Sequence, residues 1–138
     1  MAITQTLCNV FKQDCMLGQQ NLTGGAIKMA LYTANATLNA DTTVYTTANE
    51  ATGAGYAAGG NTLTGATVTL SGSTAYANFA NSVWTLSAIT ARGALIYNGS
   101  NGKAIAVLDF GSDKTSSGGD FTVQFPVSNV SNALIRLT

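Results

Sequence analysis

The sequence predicts an all-β fold, an antiparallel β-sandwich or jelly-roll-like single domain with one short N-terminal helix. Short apolar segments that alternate with polar residues recur along residues 26–138, about seven to nine of them, with turn residues every ~8–12 positions. No helical pattern lies between these segments, which excludes an alternating α/β fold. The 138 residues fit one structural domain, in which residues 1–20 contain the helix and residues 26–138 form the β-sandwich.

The helix is predicted at residues 3–17, where apolar side chains recur at nearly helical intervals and Gly18 is suited to end the segment. This apolar stripe either closes the core of its own domain or docks on a neighbouring subunit. Arg92 interrupts an apolar run, so its guanidinium is expected to pair with a carboxylate, to face backbone carbonyls or to lie in a subunit contact. The candidate subunit or shell interface is therefore formed by Ile3, Leu7, Val10, Phe11 and Arg92.

Eight strands are predicted from alternation and turn residues, and a short strand at 43–46 is a further candidate. The Asn-Gly pair at 98–99 indicates a hairpin, and the glycines of 111–120 indicate a loop. Residues 34–60 lack periodicity and predict a long surface excursion, which in compact domains usually serves function or assembly. Gly65 predicts a bulge. The eight predicted strands are 26–33, 62–70, 74–80, 82–86, 89–97, 103–110, 121–125 and 133–137.

Charged residues make up only 9% of the chain, against about 25% in ordinary domains, and six basic and six acidic residues give no net charge. Because the basic residues are scattered, the sequence predicts no nucleic-acid partner. No apolar run approaches the ~18 residues that span a bilayer, so no membrane partner is expected. The N-terminus lacks a signal-peptide pattern, so the protein is expected to be assembled in a cytoplasm. A surface with so little charge suits a protein that lives in an assembly.

The sequence predicts no enzyme. Histidine, the commonest general base and zinc ligand, is absent. Asp109, Asp113 and Asp120 flank the predicted loop and are the candidates for a glycosidase carboxylate pair or a calcium site. Their spacing matches no defined calcium loop, and solvated turn carboxylates are the favoured interpretation. No catalytic residue, metal or cofactor is therefore predicted.

Two further sets of side chains have a structural and a functional interpretation. Trp84 with Tyr76 and Tyr97 suggests either a sugar-binding platform or packing between strands, and packing is favoured because each has apolar neighbours.

Cys8 and Cys15, seven residues apart, would be too distant for a disulfide if both lay on one helix. Two buried or half-buried thiols are then expected.

Several segments resemble a family of small virion structural proteins of tailed bacteriophages. Among them are Thr90-Ala-Arg-Gly-Ala-Leu-Ile-Tyr97 and Ala104-Ile-Ala-Val-Leu-Asp-Phe-Gly-Ser-Asp-Lys-Thr-Ser116. Residues 28–33, 45–50, 53–63 and 119–126 are similar too, so the resemblance spans nearly the whole chain. It implies a virion protein made in the bacterial host cytoplasm. Nothing in the resemblance implies a cofactor or an active site.

Within that family role, the sequence favours a capsid cement, or decoration, protein that binds the major capsid protein and itself as a homotrimer. A tail, neck or fibre component is the alternative, and a carbohydrate-binding module is an outside alternative. Small size, low charge and the absence of a fibrous repeat or heptad run favour the cement role.

Overall fold

The computed structural model describes residues 2–24 and 26–137, and it confirms the predicted fold class: antiparallel strands with one short helix. The helix α1 spans Asn9–Met16. The strands are β1 (Thr6–Leu7), β2 (Ile27–Tyr32), β3 (Asn61–Thr62), β4 (Thr67–Ser71), β5 (Thr74–Asn78), β6 (Ser82–Ser87), β7 (Thr90–Asn98), β8 (Ala104–Thr115), β9 (Gly119–Val123) and β10 (Ile135–Leu137).

A five-stranded sheet in the order β1-β8-β7-β2-β3 forms the centre of the molecule. Successive side chains of a strand point to opposite faces of its sheet. In β2 and β7 successive side chains are nevertheless buried, for example Ala30 and Leu31, and Leu95 and Ile96. Both faces of these central strands are therefore covered, and they supply most of the hydrophobic core.

Two smaller sheets complete the fold, one in the order β10-β5-β4 and one formed by β6 and β9. The β4–β5 hairpin closes through Gly72 and Ser73, between the paired residues Ser71 and Thr74. Gly72 has a φ of 60°, which fits the positive φ that two-residue hairpin turns require at their first position. The predicted turn at 71–73 is confirmed.

The helix is shorter than the predicted 3–17 because the residues before it pair with strands. Ile3 bridges to Leu38, and Thr6 pairs with Val107 of β8. The Cys8 amide donates to the carbonyl of Ile105 at 2.9 Å, and the helix begins only at the next residue. Sheet hydrogen bonds thus satisfy backbone groups that a longer helix would have used, and this tertiary pairing outweighs the apolar periodicity.

The predicted loop at 111–120 is wrong, because β8 continues to Thr115 and β9 begins at Gly119. Between the paired residues Ala91–Lys114 and Gly93–Asp109, the single residue Arg92 faces four residues of β8. The glycine signal at Gly111, whose φ is 83°, therefore marks a large bulge within a strand rather than the end of one.

Two other predictions change in detail. Residues 62–70 do not form one strand with a bulge: Gly65 lies between β3 and β4, which belong to different sheets. The candidate strand at 43–46 is reduced to one bridge, between Val44 and Lys103.

Candidate interaction surfaces

The five residues predicted as an interface occupy three kinds of environment. Ile3 and Phe11 are buried in the core of their own chain. Leu7 and Val10 are half-buried and pack against that core. Ile3 and Phe11 are thus already engaged within the chain, while Leu7 and Val10 retain some surface, and the partner contact itself stays a prediction.

Arg92 pairs with a carboxylate, one of the roles expected for it. Its Nε lies 3.1 Å from Oδ1 of Asp109, and the Gly111 amide donates to the same oxygen at 2.9 Å. The Gly111 hydrogen bond, with a smaller contribution from Arg92, lowers the pKa of Asp109 below its usual value. The ion pair thereby ties β7 to the bulge of β8 at a half-exposed position.

The remaining candidates for chemistry are exposed carboxylates and a buried tryptophan. Asp113 and Asp120 are exposed on β8 and β9, and no described residues form a group of three or more metal ligands. Trp84 is buried, with edge-on ring contacts to Tyr56 and Phe121, so packing is confirmed for it. Of the carboxylates, Asp109 and Asp120 line one groove between β8 and β9, whereas the tryptophan lies within the core.

The two cysteines are free, as expected. Cys8 is fully buried just before α1, and Cys15 is half-buried within the helix. Burial raises the pKa of the Cys8 thiol to about 11, which keeps it protonated at neutral pH.

Glu50 is the centre of a polar network that sequence reasoning missed. Its side chain is buried, and its carboxylate accepts three hydrogen bonds. Tyr45 donates to Oε1 at 2.6 Å, while the Tyr56 hydroxyl and the Gly59 amide donate to Oε2 at 2.5 and 2.8 Å. Hydrogen bonds from neutral donors compensate much of the cost of burying this charge.

The tyrosines of this network also attach the excursion at 34–60 to the central sheet. The Leu31 amide of β2 donates to the Tyr56 hydroxyl at 3.0 Å, and Tyr97 of β7 donates to the carbonyl of Gly59 at 2.7 Å. The Tyr45 ring stacks on that of Tyr97 at 4.6 Å between centroids. The long excursion is therefore an ordered cover over the sheet. One acidic residue and two tyrosines in an otherwise uncharged stretch after Asp41 were the available signal.

A second buried acid lies on α1. Asp14 is fully buried, and Lys103, the residue before β8, places its Nζ 3.2 Å from Oδ1 of Asp14. Its Oδ2 has no hydrogen-bond partner among the described residues. This pair fixes the helix against the β7–β8 hairpin. Asn98, at the end of β7, also donates to Gln20, which follows the helix, at 2.9 Å.

The surface is notable for large apolar side chains rather than for charge. Met16, Leu86 and Leu70 are 91%, 79% and 73% exposed. Two grooves lie on the surface: one of about 370 Å³ between α1 and the sheet of β4, β5 and β10, lined in part by the exposed Val68 and Leu137, and one of about 710 Å³ between β8 and β9. The other exposed large apolar side chains of the described residues are Leu17, Val44, Val68, Val83, Val127, Val130 and Leu137.

Comparisons with known proteins add no assignment. No family model matches the chain, and no curated protein or solved structure is significantly similar to it. In the described part of the chain, no helix has the length and apolar character needed to cross a membrane.

Proposed function

We propose that this chain is a bacteriophage virion structural protein, a capsid cement that binds the major capsid protein on the outside of the head. It is assembled in the host cytoplasm, and its copies act as homotrimers. The family resemblance along nearly the whole chain supports the virion role. A small domain with a single hydrophobic core and an ordered long excursion is compatible with the cement role.

The observation that carries the cement role is the apolar, weakly charged surface. Ten large apolar side chains of the described residues are exposed, while the whole chain has only twelve charged residues. When a partner covers such a surface, the free energy of the system falls, because apolar area is removed from water. Its contacts depend little on ion pairs.

A cement protein has to resist the outward pressure of packaged DNA. Close-packed β-domains deform little under load. Three copies that each bury roughly 800 Å² against the shell would bind with an avidity far above that of one contact. The excursion at 34–60 adds surface that hydrogen bonds to the central sheet hold in place.

The decisive experiment heats virions with and without the protein and follows DNA release. We expect release at a lower temperature when the gene is deleted, and restoration when purified protein is added back. Because apolar contacts are not screened by salt, the protein should stay on the head in ~1 M NaCl. An unchanged release temperature, or loss of the protein in salt alone, would contradict the cement role. Recovery in the tail fraction after head–tail separation would assign it to the tail or neck instead.

A further inference from the structure

Strand β4 presents an unusual free edge. It pairs with β5 on one side, and no described strand pairs with it on the other. All five of its side chains are exposed, including Val68 and Leu70. An edge strand of this kind offers unpaired amides and carbonyls to any further strand.

The hairpin geometry identifies which backbone groups are free. A two-residue turn closes on a hydrogen-bonded pair, here Ser71 and Thr74, and such pairs alternate along an antiparallel ladder. Thr69, opposite Tyr76, therefore directs its amide and carbonyl towards β5. Val68 and Leu70 direct theirs away from β5, and no backbone hydrogen bond joins them to any other described residue.

The other edges of the molecule carry features that discourage pairing, and β4 has none of them. The edges β1 and β3 have only two residues each, and β10 has three and includes Arg136. The β6–β9 pair contains a register shift. In contrast, β4 pairs in continuous register over five residues and contains no charge and no proline.

We propose that a second copy of this chain adds to β4, antiparallel and around a two-fold axis at Thr69. The sequence Thr67-Val-Thr-Leu-Ser71 is self-complementary in this register. Val68 lies opposite the partner's Leu70, Thr67 opposite the partner's Ser71, and Thr69 opposite the partner's Thr69. The outward amides and carbonyls of Val68 and Leu70 form four hydrogen bonds across the axis, and no like charges meet.

This contact goes beyond the proposed function and does not depend on it. It joins two sheets of three strands into one sheet of six. Val68 also lines the smaller groove beside Leu137, so pairing covers apolar surface next to the groove. A two-fold contact at β4 leaves the rest of the surface available for a three-fold contact, and the two together would connect neighbouring trimers.

The first test is a cross-link. Across the axis, two Thr69 residues form a non-hydrogen-bonded pair with Cα atoms about 4.5 Å apart, within the range of disulfides. In a Cys15→Ser background, Thr69→Cys should give a covalent dimer under mild oxidation. The control is Ser128→Cys, an exposed residue far from β4 in sequence, which should give at least tenfold less dimer.

The second test changes the pairing chemistry. The double variant Val68→Lys with Leu70→Lys places lysines opposite each other in both cross-strand pairs and should weaken self-association at least tenfold in sedimentation velocity. The double variant Val68→Lys with Leu70→Glu places opposite charges in those pairs and should restore association. Circular dichroism melts check that both variants fold, as expected for exposed positions.

The outcomes separate this inference from the virion role. A wild-type protein that is monomeric at ~1 mM, with Thr69→Cys no better than its control, would overturn the pairing. A dimer that resists the double lysine variant would place the two-fold contact elsewhere and overturn it too. Neither result bears on where the protein is found in the virion.

Discussion

Strands β7 and β4 each place a leucine next to a β-branched residue, but in opposite environments. β7 lies between β2 and β8, and Leu95 in it is fully buried. β4 has a neighbour on one side only, and Leu70 in it is 73% exposed. Position in the sheet, rather than side-chain composition, therefore decides whether an apolar residue stabilises the fold or remains available to a partner.

Polar groups also differ between the buried centre of the molecule and its exposed edges. Near the central sheet, the buried Glu50 carboxylate has a donor for each of its oxygens. Near the bulge of β8, the half-exposed Arg92–Asp109 pair is in contact with water. The first is a structural requirement of the core, whereas the second contributes little because solvent screens it.

The largest contrast should come from truncating one leucine in each strand. Leu95→Ala leaves a cavity in the core and should lower the free energy of unfolding by about 2–5 kcal/mol. Leu70→Ala, its matched control, should change it by less than about 0.5 kcal/mol for the isolated chain, because the side chain is already exposed. Urea unfolding at low protein concentration measures both, and equal costs would break the comparison.

Removal of the buried acid should have the next largest effect. Glu50→Ala leaves the Tyr56 hydroxyl and the Gly59 amide without their acceptor and should cost about 2–4 kcal/mol. Tyr45→Phe removes one donor only and should cost about 1 kcal/mol. Hydrogen exchange should show faster exchange across residues 45–60 in Glu50→Ala, and unchanged protection there would contradict the proposed anchoring of the excursion.

The sequence predicted the features that depend on local pattern. Alternation identified the central strands within one or two residues at most ends, and the turn residues identified the 71–73 and 98–102 hairpins. The helix was overextended because periodicity at Ile3 and Leu7 does not reveal that these residues meet Leu38 and β8. Pairing between distant segments overrides local preference, and it cannot be read from spacing alone.

The polar network escaped prediction for a related reason. Glu50 and Gly59 are near each other in the chain. Leu31 and Tyr97, which complete the network, come from strands before and after the excursion. A lone glutamate in an irregular stretch is usually solvated. Only the covering of the central sheet by residues 34–60 makes it a buried acceptor.

The tyrosines around Glu50 should make the central region sensitive to alkali. Burial raises the pKa of Tyr32 and of Tyr56 above the usual value, and the Glu50 carboxylate adds to both shifts. With a folded pKa above that of the unfolded chain, stability is complete below about pH 10 and falls as pH rises further.

For the fully buried Tyr32, the loss should approach about 1.4 kcal/mol per pH unit above pH 10. Urea unfolding from pH 8 to 11.5 measures this slope. Tyr32→Phe should be about 1 kcal/mol less stable at pH 8, since the hydroxyl donates to the Thr46 carbonyl at 2.6 Å, yet it should have a shallower slope above pH 10. An identical slope in the variant would show that this tyrosine does not stay protonated in the folded chain.

The smallest effect is expected at the exposed end of the comparison, at the Arg92–Asp109 pair. The pKa of Asp109 is lowered, so its contribution is present above about pH 4, the range of an unfolded aspartate, and is lost as pH falls through the folded value. Asp109→Asn should cost no more than about 1 kcal/mol at pH 7, less in ~1 M NaCl, and less at pH 3 than at pH 7. Asp113→Asn, an exposed neighbour without a described ion pair, should cost nothing at either pH. A cost above about 2 kcal/mol for Asp109→Asn would mean that the bulge of β8 depends on this carboxylate as strongly as the excursion depends on Glu50. The contrast between a required buried acid and a dispensable surface pair would then fail.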